Sequence, residues 1–284
     1  MKTSPGNRWI SYKFQQIGRV KKVNPILEVR KIKKTFVQLH TLEEISLHLN
    51  RNEFVTVLGP SGCGKSTLFS IIAGITRPDH GEVFIDNKLH TGKTGRVSFM
   101  HQKDLLLPWR NILDNVCLPL FLKGESKKKA HQQALPYFRL FGLEGFEKYY
   151  PAQLSGGMRQ RAALLRTYLF SQDIMLLDEP FGGLDALTRQ TMQQWLMGVM
   201  AEIRASVLLI THDVDEALLL SDRIYVLTHR PAKVRREFSV PLKRPRGMNT
   251  FAEPEYIKRK EAILQCLTQD DRQMDRQRSG DREG

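Results

Sequence analysis

The chain has 284 residues, a formal net charge of +14 and 41% apolar residues. This length and apolar content suffice for a full core and predict one large α/β domain rather than a disordered or fibrous chain. A membrane helix needs about 20 consecutive apolar residues, and no apolar stretch of the chain approaches that length. The N-terminus also lacks the apolar core of a signal peptide. We therefore expect a chain that is made and kept in the cytosol. Its three cysteines are widely separated, odd in number and without metal-site spacing, so the sequence suggests neither a disulfide framework nor a zinc cluster.

The positive charge is concentrated at the N-terminus. Residues 1–34 hold ten Lys or Arg side chains against one acid, Glu28, which gives this segment a net charge of +9. We assign residues 1–26 to a basic N-terminal extension. Such an arm can contact anionic lipid headgroups or nucleic acid, or it can be a solvated extension without a ligand, and no motif within it favours one of these.

The first motif along the chain is GPSGCGKST at residues 59–67. A β-branched apolar run, EFVTVLG, leads into it and an apolar segment, STLFSIIAG, follows, so the predicted frame is strand, loop and helix. Its glycines allow backbone N–H groups to close around phosphate oxygens. Lys65 adds a positive charge at the β and γ phosphates, and Ser66 supplies a hydroxyl ligand for Mg²⁺. The predicted nucleotide-binding residues of this loop are Gly59, Pro60, Ser61, Gly62, Cys63, Gly64, Lys65, Ser66 and Thr67.

A second motif, LSGGMRQR, occupies residues 154–161. Ser155, Gly156 and Gly157 open a predicted helix, so a serine hydroxyl and exposed N–H groups lie at its positive end. Such an end binds phosphate well. For this motif alone, a plain serine N-cap beside a glycine turn is the competing interpretation.

The third motif, IMLLDEP, places two carboxylates directly after a short apolar run. This pattern indicates a central parallel strand that delivers acids to its C-terminal edge. Asp178 is the candidate ligand for the Mg²⁺ shell. Glu179 would face the γ-phosphate, where a carboxylate can polarise an attacking water, and it is our candidate general base. The alternative is an ordinary strand end with solvated acids.

These three motifs, together with His212 in LLITHD, resemble the ATP-binding subunit of an ABC transporter. The resemblance implies an α/β P-loop NTPase core with a mixed sheet and an inserted α-helical subdomain, and it implies ATP and Mg²⁺ as cofactors. The chain has one phosphate loop and one signature motif, so a second ATP-binding subunit, in a homodimer, would complete two ATP sites. The predicted division is an ABC ATPase domain at 27–229, with the helical subdomain at about 103–160, and a C-terminal extension at 230–284 whose polar end is expected to be disordered.

The resemblance assigns further residues one by one. Phe36, in KKTF, matches the aromatic residue that stacks on adenine, although tyrosine is commoner there. Gln102, in SFMHQKD, matches the glutamine that reaches the metal and the attacking water and senses the membrane partner. Asp185, in FGGLDA, matches the loop that crosses the dimer interface, and His212 matches the histidine that contacts the γ-phosphate. Ser155 and its two glycines would face the γ-phosphate held by the other subunit.

Two positions depart from the family pattern. His101 precedes Gln102 where phenylalanine is usual, so local packing differs, and we assign no catalytic role to this histidine. Asn52 replaces a glycine before the strand that enters the phosphate loop. Because asparagine can adopt the left-handed backbone conformation, we expect the turn to be preserved.

The segments DLLLPWRNILDNV (104–116) and YVLTHRP (225–231) are similar to the importer subgroup for nitrate, sulfonates, taurine and thiamine-precursor pyrimidines. The competing interpretation of residues 105–109 is an apolar turn that covers the core, with Trp109 buried. The subgroup implies a peripheral ATPase at the cytoplasmic face of the cell membrane that energises uptake of a small solute, an organic anion or such a pyrimidine. Its partners would be separate transmembrane permease subunits and, indirectly, an extracellular substrate-binding protein.

Three other functions compete with this one. An ABC-type ATPase acting on nucleic acid could use the basic arm as its grip, but the long coiled coils, zinc modules or second ATPase domain of such proteins do not occur here, which disfavours nucleic acid as a partner. A regulatory module that holds ATP without turnover conflicts with the intact Glu179 and His212. An ATPase of an ABC exporter is the nearer alternative, and only the LLPW segment disfavours it.

Overall fold

The computed structural model describes residues 25–280, with side chains described through residue 268. Most of the predicted basic extension therefore lies outside the described residues. Within them the chain forms two sheets, surrounding helices and two 3₁₀ turns. None of the described helices is long and apolar enough to cross a lipid bilayer.

A parallel sheet forms the centre of the molecule. Its strand order is β10-β9-β3-β8-β7-β6, and only β10 runs antiparallel to its neighbour. The sheet consists of β3 (Phe54–Leu58), β6 (Ser98–Met100), β7 (Ile174–Asp178), β8 (Ser206–Thr211), β9 (Arg223–Leu227) and β10 (Val234–Ser239). Every residue of β3, β7 and β8 is buried, as expected for short apolar strands covered on both faces. Because parallel strands end at one edge, this edge gathers the loops that follow β3, β7, β8 and β9.

A second, antiparallel sheet packs against the first. It has the order β2-β1-β4-β5 and consists of β1 (Leu27–Phe36), β2 (Leu39–Leu49), β4 (His80–Ile85) and β5 (Lys88–Leu89). Its buried apolar side chains form one core cluster with α1 (Lys65–Ile72) and one face of the parallel sheet. The turn before β3 contains Asn52 with φ of 57°, which confirms the left-handed conformation expected for this asparagine.

The stretch between β6 and β7 is helical. It contains α2 (Ile112–Val116), α3 (Leu118–Leu122), α4 (Lys127–Leu140), a 3₁₀ turn and α5 (Gly156–Phe170). These helices share a second core cluster with α6 (Ala186–Ile203) and the other face of the sheet. The fold is thus the expected mixed-sheet P-loop core with a helical insertion, whereas the residue limits of the domains remain a prediction.

The C-terminal extension packs on α7 (Val214–Leu220). Tyr256, on α8 (Pro254–Gly280), is buried in a third core cluster, and its hydroxyl donates to Asp215 at 2.5 Å. Helix α8 continues to Gly280 across most of the tail for which the sequence predicts disorder. No proline or glycine interrupts residues 255–279, and their Gln, Arg, Lys and Met side chains favour a helix. Residues 281–284 lie outside the described residues.

Candidate nucleotide site

The phosphate loop connects β3 to α1, and its shape depends on glycine. Gly64 has φ of 120°, and a Cβ on it would lie 2.9 Å from side-chain atoms of both Thr41 and Leu42. A residue with a Cβ would be strained at this φ and would have to displace the side chains of Thr41 and Leu42. Lys65 is buried, and its Nζ donates to the carbonyls of Gly59 and Pro60, each at 2.8 Å. The loop is therefore closed on itself, with its one lysine ammonium held at its centre.

A cleft of about 490 Å³ lies over this loop. Of the residues that line it, nine are site residues predicted from the sequence and three are not. The selected residues are Phe36, Ser61, Gly62, Gly64, Lys65, Ser66, Thr67, Gln102 and Glu179; the others are Leu39, Thr41 and Arg230. Phe36 lines the cleft and is 44% exposed, so its ring is accessible to a base, and the Lys34 ammonium lies 5.2 Å from the ring centre. Gly59 and Cys63 are buried inside the loop, and burial raises the pKa of the Cys63 thiol, which keeps it a neutral packing group.

Glu179 stands at the edge of this cleft between two polar side chains. Gln102 Nε2 lies 3.1 Å from its Oε2, and His212 Nδ1 lies 3.2 Å from its Oε1. The strands β6, β7 and β8 are neighbours, so the residues after them meet at the common edge of the sheet. The structure thus brings together Gln102, Glu179 and His212, which are 110 positions apart at their extremes in the chain.

The backbone of Glu179 is strained. Its φ is 45°, in the left-handed region that a residue with a Cβ adopts at a cost of roughly 1–2 kcal/mol. Two hydrogen bonds hold it there: its N–H donates to Ile210 O at 3.0 Å, and Gly182 N–H donates to its carbonyl at 2.9 Å. Residues kept in such conformations cluster at functional sites, which adds support for Glu179 that the sequence motif does not contain.

Asp178 lies beneath the cleft. Its carboxyl is 7% exposed, and burial raises its pKa, while a hydrogen bond from the Ser66 side chain acts in the opposite direction. The described residues contain no group of three or more His, Cys, Asp or Glu side chains that could bind a metal by themselves. The hydroxyl, carboxylate and amide oxygens of Ser66, Asp178 and Gln102 are the hard donors that Mg²⁺ takes when phosphates complete its coordination. The residues present therefore fit a Mg²⁺ ion that binds together with a nucleotide.

The residues of the signature motif LSGGMRQR lie on a different surface from the phosphate-loop cleft. Ser155 caps α5 by accepting a hydrogen bond from Met158 N–H at 3.3 Å, and the helix N-terminus opens into a cleft of about 280 Å³. Thr188 also lines this cleft, and its N–H donates to Asp185 Oδ1 at 3.0 Å. An added Cβ on Gly156 would make an ordinary contact with Leu184 at 3.4 Å, whereas a Cβ on Gly157 would make a tighter contact with Thr188 at 3.3 Å.

The predicted site residues are consequently divided between two surfaces of the chain. The phosphate loop, Gln102 and Glu179 line the first cleft, whereas Ser155 and Gly157 line the second, and no residue lines both. A strand-loop-helix phosphate loop with a strand-end carboxylate pair defines a P-loop nucleotide-hydrolysing protein. The helix N-terminus on the separate surface can bind a phosphate that another chain holds. This feature restricts the class to P-loop proteins in which two chains can share one nucleotide.

Comparisons with known proteins agree with this assignment to the P-loop nucleotide-hydrolysing class. A family model described as "ABC transporter" matches residues 42–182. The chain is 46% identical over 209 residues to the formylaminopyrimidine import ATP-binding protein ThiZ of Halalkalibacterium halodurans, covering 74% of this chain and 82% of that protein. It is 49% identical over 205 residues to the aliphatic sulfonates import ATP-binding protein SsuB 1 of Rhodococcus jostii, covering 72% and 79%.

A solved structure is similar as well. It shows the ATP-binding cassette MJ0796 as a dimer in a post-hydrolysis state bound to ADP and Pi, with a TM-score of 0.65, 30% identity, and coverage of 76% of this chain and 100% of that one. The chain belongs to the family of ABC transporter ATP-binding subunits, and it is an ATP-binding ATPase. The relatives are named as import subunits, so neither a nucleic-acid ATPase nor an exporter ATPase is favoured.

The expectation that Trp109 is buried is wrong. Its side chain is 71% exposed, whereas Leu106, three residues earlier, is 8% exposed and belongs to the core. The turn is fixed by Asn115, whose Oδ1 accepts from Leu107 N–H at 2.7 Å and whose Nδ2 donates to Leu107 O at 3.0 Å. This turn buries only one leucine and leaves Leu105 and Trp109 on the surface.

Proposed function

We propose that this chain is the ATP-hydrolysing subunit of an importer that takes up a small organic anion, such as a sulfonate, or a formylaminopyrimidine-like pyrimidine. The single observation that carries the ATPase part is the placement of Glu179 between Gln102 and His212 at the edge of the phosphate-loop cleft. The similarity to the import subunits for aliphatic sulfonates and for formylaminopyrimidine supports the class of cargo.

The proposed chemistry is assigned to this chain's own residues. Phe36 stacks on adenine, the loop N–H groups and Lys65 hold the phosphates, and Glu179 accepts a proton from the attacking water. His212 and Gln102 keep the Glu179 carboxylate at the cleft edge. Ser66, Asp178 and Gln102 would hold Mg²⁺, which neutralises charge that develops on the phosphates.

A second copy of the chain is the proposed partner for each ATP. Its Ser155 hydroxyl and the N-terminus of its α5 would bind the γ-phosphate that the first chain holds, and Asp185 would lie near the interface. Support comes from the separation of the two clefts on this chain and from the dimeric cassette at 30% identity.

The proposed contact with the permease is an apolar groove beside Gln102. This groove, of about 320 Å³, lies between the parallel sheet and the helical insertion, and it is lined by His101, Phe99 and Pro119 among other residues. At its rim Ile75 is 61% exposed and Leu122 is 79% exposed. Exposed apolar groups around a groove are typical of a protein interface, and this one would place the chain at the cytoplasmic face of the membrane.

The proposed function is tested by affinity capture of the Glu179→Gln variant from solubilised membranes of its native cell, in the presence of ATP. We expect a polytopic permease among the co-purifying chains, and transport assays on that system then identify the cargo. Capture of nucleic acid, or of repair or ribosomal proteins, in place of a permease would contradict the transport function and leave the ATPase chemistry intact.

A pair of surface variants tests the docking groove. Leu122→Glu adds a charge at the groove rim, and Leu89→Glu adds the same charge at a leucine that is 49% exposed on β5 and does not line the groove. We expect only Leu122→Glu to abolish capture of the permease, with ATP affinity unchanged in both. Equal capture by the two variants would show that the permease binds elsewhere.

A further inference from the structure

The loop that follows β9 lies directly against the phosphate loop. Strands β3 and β9 are parallel neighbours, with Leu58 paired to Val226, so the loops after them leave the sheet side by side. They are in close contact: a Cβ on Gly59 would lie 3.2 Å from Leu227 Cβ and 3.3 Å from Leu227 O. The loop of residues 228–231 therefore lies beside the nucleotide cleft, where its Arg230 forms part of one wall.

This loop is anchored at both ends. Thr228 N–H donates to Lys233 O at 3.0 Å, which closes the loop on itself. Ala232 N–H donates to Thr41 O, and Glu43 N–H donates to Ala232 O, each at 2.9 Å, which ties the loop to β2. Arg230 lies at the tip of the loop, so its position relative to the phosphate loop is set by hydrogen bonds on either side of it.

The Arg230 side chain contacts the phosphate loop. Its Nε donates to Gly62 O at 2.7 Å, and its Nη2 donates to the same oxygen. A guanidinium has five N–H donors, and within the described residues those not given to Gly62 have no protein acceptor. Arg230 and Lys65 both line the cleft, and both donate to carbonyls of the same loop. The loop thus holds two cations, of which the sequence motif contains one.

The charges around the cleft indicate what the second cation does. Glu179 lines the cleft and Asp178 lies beneath it, so a polyphosphate that enters meets two carboxyl groups. Lys65 supplies one positive charge beside these acids, and Arg230 supplies a second in the lining of the same cleft. Arginine also suits phosphate oxygens because its planar N–H groups can bind two of them at once.

We propose that Arg230 is a nucleotide-binding residue that holds the phosphate loop through Gly62 and offers its remaining N–H groups to the phosphates of ATP. The identity of the ligand as ATP rests on the proposed function. Arg230 acts on binding, since its hydrogen bonds go to the loop backbone at Gly62 and not to Glu179, Gln102 or His212. Its contribution is to affinity for charged nucleotides, with little effect on the rate of the bound complex.

The test is calorimetric titration of ATP, ADP and adenosine into the wild-type chain, Arg230→Gln and Arg230→Lys. We expect Arg230→Gln to weaken ATP binding by about tenfold, as for loss of one exposed charge-assisted hydrogen bond, and to leave adenosine binding unchanged. Arg230→Lys keeps the charge without the fork and should be intermediate. The difference should shrink in 0.5 M salt, because screening weakens an exposed charge. In steady-state hydrolysis, KM for ATP should rise with kcat retained.

The matched control is Arg236→Gln, which removes the same charge from an exposed arginine of β10 that stacks on Phe238 and does not line the cleft. Its ATP affinity should equal that of the wild type. Unchanged ATP affinity in Arg230→Gln, or an equal loss for adenosine, would overturn the proposal. The titrations require only binding, so a chain that bound ATP but failed to hydrolyse it would contradict the proposed function and leave the assignment of Arg230 standing.

Discussion

The two clefts to which we assign phosphate binding differ in the groups that line them. The phosphate-loop cleft holds Lys65, Arg230 and Glu179, and its backbone is strained at Glu179. The signature cleft is lined by the serine that caps α5 and by the N-terminus of that helix, and no carboxylate lines it. Asp185 lies behind Thr188, where it caps α6. One surface has the groups for binding and chemistry, whereas the other has only groups that recognise a phosphate. We infer from this difference that mutations can affect hydrolysis and assembly separately.

The largest effect should come from the carboxylate of the first cleft. Glu179→Gln keeps the shape of the side chain but removes the proton acceptor, so we expect hydrolysis to fall by about 10²–10⁴-fold. ATP binding should persist, and an ATP-bound dimer should accumulate, which size-exclusion chromatography with ATP detects. The matched control is Glu53→Gln, a partly buried glutamate paired with Arg223 outside the cleft. Normal turnover in Glu179→Gln would remove its assignment as the base.

The lysine of the same cleft should have the next largest effect. Lys65→Ala deletes the ammonium at the centre of the loop, and charged hydrogen bonds of this kind contribute about 1.5–3 kcal/mol, so ATP affinity should fall by about 10–100-fold. Direct titration of ATP measures the loss. Circular dichroism checks the fold, because Lys65 also closes the loop on the carbonyls of Gly59 and Pro60. A well-folded variant with wild-type affinity would contradict the role of this lysine.

The second cleft offers a variant that separates assembly from binding. Ser155→Asp preserves the N-cap, since aspartate caps helices as well as serine does, but it places a negative charge where the partner's phosphate would bind. Hydrolysis should fall by about tenfold or more, and ATP affinity of the single chain should not change. Ser155→Asn, a neutral cap of the same shape, is the control and should retain most activity. A weaker single-chain ATP affinity in Ser155→Asp would show that the two clefts are not independent.

A mixture of two defective chains tests whether the phosphate-loop cleft of one chain pairs with the signature cleft of the other. A Lys65→Ala chain retains its signature cleft, and a Ser155→Asp chain retains its phosphate loop, so a mixed dimer contains one site with both halves intact. We expect the mixture to form an ATP-dependent dimer that neither variant forms alone, measured by analytical ultracentrifugation. The absence of any gain on mixing would contradict a head-to-tail pair.

The sequence predicts the phosphate-loop side well because its signals are local. The glycine spacing, the strand before it and the helix after it are contiguous, so the frame of residues 54–72 follows from the chain itself. The left-handed turn at Asn52 is local in the same way. The strain at Glu179 and the contact of Arg230 with Gly62 could not be predicted, because both depend on strands that are adjacent only in the sheet.

The error at Trp109 has the same physical origin. LLPW has the composition of a core segment, but whether Trp109 is buried depends on the turn that Asn115 fixes, eight residues from Leu107. Composition reports what a segment can bury, and it does not report which neighbour is available to cover it.

The last prediction concerns stability and a buried acid behind the edge of the sheet that carries Glu179, a feature without a counterpart in the lining of the signature cleft. Glu216 Oε2 accepts a hydrogen bond from Thr211 Oγ1 at 2.8 Å, and Thr211 Oγ1 in turn accepts from Asp213 N–H at 3.0 Å, so this acid supports the turn that carries His212. Its Oε1 is buried and has no hydrogen-bond partner among the residues that the structure describes. Burial raises the pKa of Glu216 from 4.5 to about 8, with Asp213 acting in the same direction and Thr211 against it.

The sign of the pH effect follows from these values. Between pH 4.5 and 8 the folded state holds one more proton at Glu216 than the unfolded state, so its stability falls as pH rises through this window. The slope from this one group is about 1 kcal/mol per pH unit, and it vanishes below pH 4.5, where both states are protonated.

Glu216→Gln cannot ionise and should remove this slope from the free energy of unfolding, measured by urea titration at pH 5.5, 6.5 and 7.5. Asp215→Asn, at an acid that is bonded to Tyr256 and Lys260 and is not buried, is the control and should leave the slope in place. If Glu216→Gln and the wild type showed parallel pH profiles, Glu216 would be ionised in the folded chain, and a cation or a water molecule would have to satisfy its Oε1.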